Sequence, residues 1–275
     1  MKLHFVKMNP VENMTIFVLD QLPRESYHQI ANKLMDYSNV HGEQVGFVET
    51  SGQDRRVRLQ MMGGEFCGNA SRSLAAYLTA SGHPLAEKKG DKYHLQFEVS
   101  GMDSPVRCIV KAEEGQDEFT SGIHMPLPSR ISKVQLESES TAIDSIRVDF
   151  QGISHFIVDS KKIGDEIEVY NQIKKEMEKE DFHAFGVMFY DYDKEFLKPL
   201  VYVRETDSLY WERSCASGSC AVASALSFQD KRATTRDVFQ PGGKLRVSIQ
   251  MEGDTFTGVF LDGPVQLVAE GICYL

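Results

Sequence analysis

The sequence predicts an α+β fold made of two related halves. Short segments rich in Val, Ile, Phe and Thr are many, whereas helical segments are few. A cysteine motif recurs once in each half of the chain, as Cys67-Gly68-Asn69-Ala70-Ser71 and as Cys215-Ala216-Ser217-Gly218-Ser219. Each motif opens an Ala- and Ser-rich helix with almost no charge. Because a helix that is small or apolar all round is normally buried, the strands of each half are expected to wrap round it.

The strands are predicted where β-branched and aromatic residues lie between Gly, Asp, Ser or Pro. These segments are residues 15–19, 45–49, 57–61, 93–99, 106–111, 146–150, 155–158, 185–190, 199–203, 245–250, 255–261 and 265–270.

Four helices are predicted, and they are of two kinds. Residues 26–37 and 165–180 have apolar side chains on one face only and are expected to pack on a sheet from outside. Residues 68–81 carry one charge, Arg72, and residues 218–229 carry none. Two prolines at 126 and 128 break both helix and strand, so the boundary between the halves is expected there.

The composition disfavours several classes of partner. The 275 residues carry a net charge of −10, and no basic run is longer than two residues, which disfavours nucleic acid and anionic membranes. No apolar stretch is long enough for a membrane span or a signal segment, so a cytoplasmic protein is expected. The five cysteines, at positions 67, 108, 215, 220 and 273, are widely spaced, and neither motif has the spacing of a zinc site.

The two motif cysteines, Cys67 and Cys215, are candidate acid–base groups. Unpaired N–H groups and the helix dipole favour thiolate at a helix N-terminus. Inverting an amino acid at Cα requires removal of a proton from one face and delivery of a proton to the other. Two thiols flanking Cα can do this without turning the substrate, provided that one is deprotonated and the other protonated. The sequence therefore favours a two-base racemase or epimerase with an amino-acid substrate and no cofactor.

The carbanion formed during such a reaction also needs stabilisation. Backbone N–H groups of Gly68, Asn69, Ala216 and Ser217 could bind the substrate carboxylate and take up the charge that spreads onto it. Pyridoxal phosphate would then not be required, and no metal site is predicted.

Several segments resemble the diaminopimelate epimerases. The two active-site segments are matched by Glu65-Phe66-Cys67-Gly68-Asn69-Ala70-Ser71-Arg72 and Cys215-Ala216-Ser217-Gly218-Ser219-Cys220-Ala221. Further matches are Asn13, Gln44, Gln240-Pro241-Gly242-Gly243 and Gly263-Pro264-Val265.

This resemblance implies a diaminopimelate epimerase-like fold of two pseudo-symmetric lobes, each a mostly antiparallel sheet round a central helix. The lobes would be residues 1–122, joined by the returning strand 264–275, and residues 123–263, with the active site in the cleft between them. It also implies catalysis by Cys67 and Cys215, substrate binding by Asn13 and Gln44, and a homodimer.

The departures from that family disfavour diaminopimelate as the substrate. Diaminopimelate carries an amino-acid group at each end, and those epimerases bind the second group with asparagine and arginine side chains. Two such asparagine positions are Met61 and Gly186 here, and their Asn-Pro-His segment is Ile153-Ser154-His155. A buried second carboxylate without donors would cost several kcal/mol. The segments at 9–15, 43–47, 211–215 and 240–243 more closely resemble the histidine racemases of staphylopine-type, opine metallophore biosynthesis.

That closer resemblance implies histidine as the substrate. Glu212 lies close to the second cysteine in sequence, where it could receive the substrate ammonium group or side chain or form a surface ion pair. The open alternatives are a diaminopimelate epimerase, a proton-shifting isomerase of the same architecture, and a two-thiol redox sensor. Cys220, Cys108 and Cys273 are predicted to be packing residues.

Overall fold

Strands are the main regular secondary structure of this protein, and a computed structural model describes residues 1–50, 56–113, 117–136, 143–205 and 207–275. Within these ranges there are four α-helices and seventeen strands of a mixed parallel and antiparallel pattern. The predicted α+β class is therefore confirmed. The chain divides into two compact units, Met1–His124 with Asp262–Leu275, and Met125–Leu261.

The first unit contains eight strands before the chain leaves it, and part of a ninth on its return. The strands are β1 (Lys2–Asn9), β2 (Thr15–Val18), β3 (Gln44–Thr50), β4 (Val57–Met61), β5 (Glu87–Lys89), β6 (Lys92–Val99), β7 (Val106–Ala112), β8 (Glu118–Met125) and the second part of β17 (Thr255–Tyr274). The helices of this unit are α1 (Tyr27–Met35) and α2 (Gly68–Ala80).

The strand pairings of the first unit form a closed ring, in the order β1, β2, β3, β4, β6, β7, β8, β17 and back to β1. The pairs β2–β3 and β4–β6 are parallel, and they are connected through α1 and α2 respectively. Helix α2 packs against β2, β6 and β7 and is buried along most of its length. The predicted buried helix wrapped by strands is confirmed in this unit.

The second unit has the same order of connections round its own buried helix. Its elements are β9 (Arg130–Leu136), β10 (Ile143–Phe150), β11 (Ile153–Asp159), α3 (Glu166–Met177), β12 (Ala184–Asp191), β13 (Phe196–Val203), β14 (Ser208–Trp211), α4 (Ala216–Asp230), β15 (Thr234–Gln240) and β16 (Gly243–Glu252). The parallel pairs β11–β12 and β13–β15 are connected through α3 and α4, and the other pairs are antiparallel. Helix α4 packs against β10, β11, β12, β15 and β16.

The two amphipathic helices cover the outer faces of these sheets, as predicted. Helix α1 buries Tyr27, Ile30 and Leu34, and the Tyr27 ring stacks on Phe47 of β3 at a centroid distance of 3.6 Å. Helix α3 buries Val169, Tyr170, Ile173 and Met177 against the aromatic side chains of β12 and β13. Its predicted first residue, Asp165, is the N-cap and accepts hydrogen bonds from two backbone N–H groups.

Every predicted strand corresponds to an observed one, but one expectation was wrong, and some strands were not predicted. The segments 255–261 and 265–270 belong to one continuous strand, β17, because the Gly263-Pro264 step keeps an extended backbone. Six strands were not predicted, namely β1, β5, β8, β9, β14 and β15. These strands hold charged or polar residues at several positions, and six of the seven residues of β9 are not buried.

Among the residues that the structure describes, no helix has both the length and the apolar character required to cross a membrane.

Candidate active site

Cys67 is the N-cap residue of α2. Its backbone is extended, with φ −128° and ψ 113°, and its Sγ accepts a hydrogen bond from the N–H of Ala70 at 3.4 Å. The Ser71 hydroxyl donates to the Cys67 carbonyl at 2.8 Å, which fixes the first turn from the other side. The thiol thus takes the capping position that Ser or Asp commonly occupies, and the Gly68 and Asn69 N–H groups precede the helix's own hydrogen-bond ladder.

A network of amide side chains surrounds the Cys67 thiol. Cys67 Sγ donates to Oε1 of Gln44 at 3.1 Å, and Gln44 Nε2 donates to Oδ1 of Asn13 and to the Thr15 hydroxyl, each at 2.8 Å. Asn69 Nδ2 donates to the same Asn13 oxygen at 3.1 Å. The structure therefore brings Asn13, Gln44, Cys67 and Asn69 together, as the sequence resemblance implies.

Arg72 extends this network to the returning strand β17. Its Nε donates to Asn69 Oδ1 at 3.1 Å, and its Nη1 donates to the carbonyls of Gly263 and Pro264 at 3.1 and 3.0 Å. The side chain is fully buried, and burial lowers the pKa of Arg72 to about 10, while the charges of Cys67 and Asp262 act in the opposite direction. The guanidinium remains protonated at neutral pH.

Cys215 is the N-cap residue of α4 in the second unit. Its backbone is again extended, with φ −117° and ψ 110°, and its Sγ accepts from the N–H of Gly218 at 3.2 Å. The Ser219 hydroxyl donates to the Cys215 carbonyl at 2.7 Å, and the Cys215 N–H donates to Oε1 of Gln240, also at 2.7 Å. Gln240 Nε2 completes the loop by donating to Ser219 at 2.9 Å.

The environment of the Cys215 thiol favours its protonated form. The residue is buried, and burial raises the pKa of Cys215 well above its ordinary value. The carboxylate of Glu212 raises this pKa further, whereas hydrogen bonds from Ser217 and from the Gly218 N–H lower it. The N–H group at the helix N-terminus favours thiolate, as expected, but for Cys215 the loss of water outweighs it.

His155 lies beside the Cys215 motif. Its Nε2 shares a 2.9 Å hydrogen bond with the Ser217 hydroxyl, which is 3.6 Å from Cys215 Sγ. The imidazole is fully buried on β11, and burial lowers the pKa of His155 to about 3, although the charge of Asp149 opposes the shift. His155 is therefore neutral at physiological pH. Its Nδ1 has no hydrogen-bond partner among the described residues, so only one of its ring nitrogens is paired.

Two glycines, Gly186 and Gly218, leave room for the side chains of His155 and Cys215. A Cβ at Gly186 would lie 2.5 Å from His155 Nδ1 and 2.5 Å from Cε of Met188. A Cβ at Gly218 would lie 2.3 Å from Sδ of Met188 and 3.0 Å from Cys215 Sγ. The glycine at position 186, where the diaminopimelate epimerases hold an asparagine, thus has a physical basis, since the imidazole already occupies that side-chain volume.

The predicted site residues form one group in each unit. The first contains Asn13, Gln44, Cys67, Gly68 and Asn69, and the second contains Glu212, Cys215, Ala216 and Ser217. Sequence reasoning did not assign site positions to Gln240, Arg72, Ser71 or Ser219. The two serines could have been found, because each follows its cysteine by four residues and can reach that residue's carbonyl.

The remaining cysteines are buried, as predicted for packing residues. Burial raises the pKa of the Cys108, Cys220 and Cys273 thiols. Among the described residues, no group of three or more His, Cys, Asp or Glu side chains is arranged to hold a metal ion.

Comparison with known proteins identifies close relatives over the whole chain. A sequence family described as the histidine racemase CntK N-terminal domain matches residues 2–274. A histidine racemase of Fusobacterium nucleatum subsp. nucleatum is 33% identical over 276 residues, covering 99% of this chain and 97% of that protein. A histidine racemase of Staphylococcus aureus is 30% identical over 278 residues, covering 99% and 98%.

Two solved structures share the fold. A predicted epimerase from Pseudomonas aeruginosa superposes with a TM-score of 0.67 at 12% identity, covering 98% of both chains. Methylitaconate-delta-isomerase superposes with a TM-score of 0.61, also at 12% identity, covering 99% of this chain and 95% of the other.

Proposed function

The chain belongs to the histidine racemase family, and from that premise we propose that this isomerase interconverts L-histidine and D-histidine without a cofactor. The support for histidine is the match to histidine racemases over nearly the full length of both chains. The support for the chemistry is one structural observation. In each unit, a cysteine caps a buried helix, and its sulfur accepts a hydrogen bond from the N–H of the third residue of that helix.

We propose that Cys67 and Cys215 are the two catalytic bases. One sulfur removes the Cα proton, and the other delivers a proton to the opposite face. This mechanism needs the two units to form the two lobes of one site, with the substrate in the cleft between them. The repeated order of strands and helices in the two units is compatible with pseudo-symmetric lobes.

The two thiols have different roles at rest in this proposal. Burial and the Glu212 carboxylate keep Cys215 protonated, so it is the proton donor of the resting enzyme. Cys67 is partly exposed and lies at a helix N-terminus, and its S–H group points at Gln44 Oε1; in this proposal it gives up that proton to solvent before it removes the Cα proton. One turnover leaves Cys67 protonated and Cys215 deprotonated. This form carries out the reverse reaction directly, and exchange of protons with solvent returns it to the resting form.

The helix N-termini provide the means to hold the carbanion. We propose that the N–H groups of Gly68, Asn69, Ala216 and Ser217 bind the substrate carboxylate and stabilise the negative charge that develops on it. Each donor of this kind commonly contributes on the order of 3 kcal/mol to lowering the barrier. The side chains of Asn13 and Gln44 complete the first group of substrate contacts, and Glu212 receives the substrate ammonium group.

We also propose a cytoplasmic homodimer that supplies D-histidine to an opine-type metallophore synthesis. This part rests on the sequence resemblance to staphylopine-type enzymes. Light scattering coupled to size exclusion measures the assembly, and a monomeric mass would contradict the dimer.

Exchange of the Cα proton tests the function directly. The enzyme is incubated with L-histidine in D₂O, and NMR follows the loss of the Cα proton while chiral chromatography follows D-histidine. We expect both to occur together, because the delivered proton comes from a solvent-exchanged thiol. The same assay with diaminopimelate and a panel of L-amino acids serves as the control.

Each other outcome identifies a different function. Exchange with diaminopimelate and none with histidine would make the protein a diaminopimelate epimerase. Absence of exchange with every amino acid would contradict the racemase proposal and would favour a proton-shifting isomerase or a thiol redox sensor.

A further inference from the structure

Arg72 is a fully buried cation at the start of a helix that otherwise carries no charge. Its guanidinium connects Asn69 of the same helix with the carbonyls of Gly263 and Pro264 on β17. Burying a cation is unfavourable, and Nη2 has no hydrogen-bond partner among the described residues. At buried positions, apolar side chains of similar size often stabilise a protein as much as charged ones do. The packing of α2 therefore does not by itself account for an arginine here.

The guanidinium fixes the orientation of Asn69, and together with the Glu43 carboxylate it fixes the orientation of the amides that follow. It has donors only, so the side chain of Asn69 must turn its oxygen toward Arg72 Nε and its Nδ2 away. That Nδ2 then donates to Asn13, which must present Oδ1 in return. The Nδ2 of Asn13 is in turn directed to the carboxylate of Glu43 at 2.9 Å, which accepts only and fixes the same orientation.

The orientation of Asn13 sets that of Gln44, and Gln44 faces the thiol. Because Asn13 Oδ1 is an acceptor, Gln44 places its Nε2 there and on Thr15. Its Oε1 is left facing Cys67 Sγ at 3.1 Å. An unbroken chain of four hydrogen bonds thus runs from Arg72 through Asn69, Asn13 and Gln44 to the sulfur.

We propose that Arg72 is a positioning residue for Cys67, which acts through this chain of amides to hold an acceptor against the thiol. The chain directs the S–H group and fixes the sulfur relative to the N-terminus of α2. Its catalytic consequence rests on the proposed racemase function, whereas its effect on the thiol does not. The positive charge of Arg72 and a thiolate at Cys67 would attract each other, so this charge favours the thiolate, whereas the hydrogen bond to Gln44 favours the thiol.

Two variants break the chain at different points. Arg72→Lys keeps the charge, but a single ammonium group cannot bridge Asn69 and both carbonyls. Asn69→Ala keeps Arg72 with its two carbonyl contacts and keeps the backbone N–H of residue 69. The matched control is Ser121→Ala, since the buried Ser121 hydroxyl donates to the Arg72 carbonyl and does not touch the amides.

Racemisation kinetics form the first measurement, at a temperature where all variants are folded. We expect both variants to lower kcat about 100-fold with KM changed by less than about threefold, because a small displacement of a catalytic group has effects of this size. The double variant should be no more than about threefold worse than the poorer single variant, since both interrupt one chain. Ser121→Ala should retain kcat within about threefold.

Alkylation of Cys67 by iodoacetamide, followed by peptide mass spectrometry, forms the second measurement and needs no substrate. A hydrogen bond to the neutral thiol disfavours thiolate. We therefore expect Asn69→Ala and Arg72→Lys to be alkylated at Cys67 at least about threefold faster than wild type, although they racemise more slowly. The buried Cys108 and Cys220 report unfolding in the same sample and should stay unlabelled.

The outcomes separate the two proposals. An unchanged alkylation rate at Cys67 in Asn69→Ala would overturn the role of Arg72, even if Arg72→Lys failed to fold. Labelling of Cys108 and Cys220 together with Cys67 would also overturn it, because the effect would then be a general loss of structure. If the wild-type protein does not racemise histidine, but both variants are alkylated at Cys67 faster than the wild type, the positioning role is supported and the proposed function is contradicted.

Discussion

At the scale of single residues, protonation in this protein is governed by burial more than by helix position. The sequence indicates where α4 begins, and hence that Cys215 meets free N–H groups. It does not indicate how completely water is removed from the thiol. Burial is the larger effect on the pKa of Cys215, and the same is true of His155. The pairing of Gln240 with the Cys215 N–H depends on a contact between distant segments, so no local pattern could predict it.

The buried imidazole of His155 predicts destabilisation by acid. Its folded-state pKa of about 3 lies below the ordinary value of 6.5, so the unfolded chain binds more protons between these values. The free energy of unfolding should therefore fall as pH decreases from about 7 to 4, by up to about 1.4 kcal/mol per pH unit from this group. Urea titrations at a series of pH values measure this free energy of unfolding. In His155→Gln, which cannot titrate, the fall should be smaller, and parallel curves for the two proteins would refute this assignment.

At the scale of elements, periodicity and composition predicted the four α-helices that the structure describes and the more apolar strands. Helices α1 and α3 have clear apolar faces, and α2 and α4 are recognisable because charge is nearly absent from them. Strands such as β15, Thr234–Gln240, were missed because their burial comes from neighbours distant in sequence. Strand propensity depends on that environment, so it is a weak signal for polar strands.

The first turn of α4 is predicted to tolerate no side chain at Gly218. In Gly218→Ala the added Cβ would press on Met188 Sδ and on Cys215 Sγ, so the thiol must move. We expect racemisation to fall at least tenfold and stability to fall by about 1–3 kcal/mol. Gly164→Ala is the control, because nothing lies within 4 Å of its Cβ. If Gly218→Ala retained wild-type kcat, the tight contact with the thiol would have no catalytic meaning.

At the scale of the whole molecule, one strand links the two halves of the sequence. The residues of β17 are shared between the two compact units, and its second part pairs with β1 along the full length of that strand. The first unit is thus built from both ends of the chain. The family resemblance implied this return, whereas the residue pattern alone placed a break at Gly263-Pro264.

Deleting residues 264–275 should therefore destabilise the first unit. The deletion removes the pairing partner of β1, the buried side chains of Val265 and Cys273, and the Pro264 carbonyl that binds Arg72. We expect the thermal midpoint, followed by circular dichroism, to fall by more than roughly 10 °C, equivalent to several kcal/mol. Tyr274→Ser, at a largely exposed position, should leave the midpoint unchanged. An unaltered midpoint after the deletion would show that β1 does not need this partner.

Catalysis by two thiols is the central claim, and racemisation by three serine variants tests it most directly. Cys67→Ser and Cys215→Ser should each lower the rate of D-histidine formation from L-histidine by at least about 10³-fold, because a hydroxyl is a far weaker acid and base at this pH. Cys220→Ser, in the same helix as Cys215 but fully buried, should keep most of the activity. Equal activity in all three variants would contradict the two-cysteine mechanism.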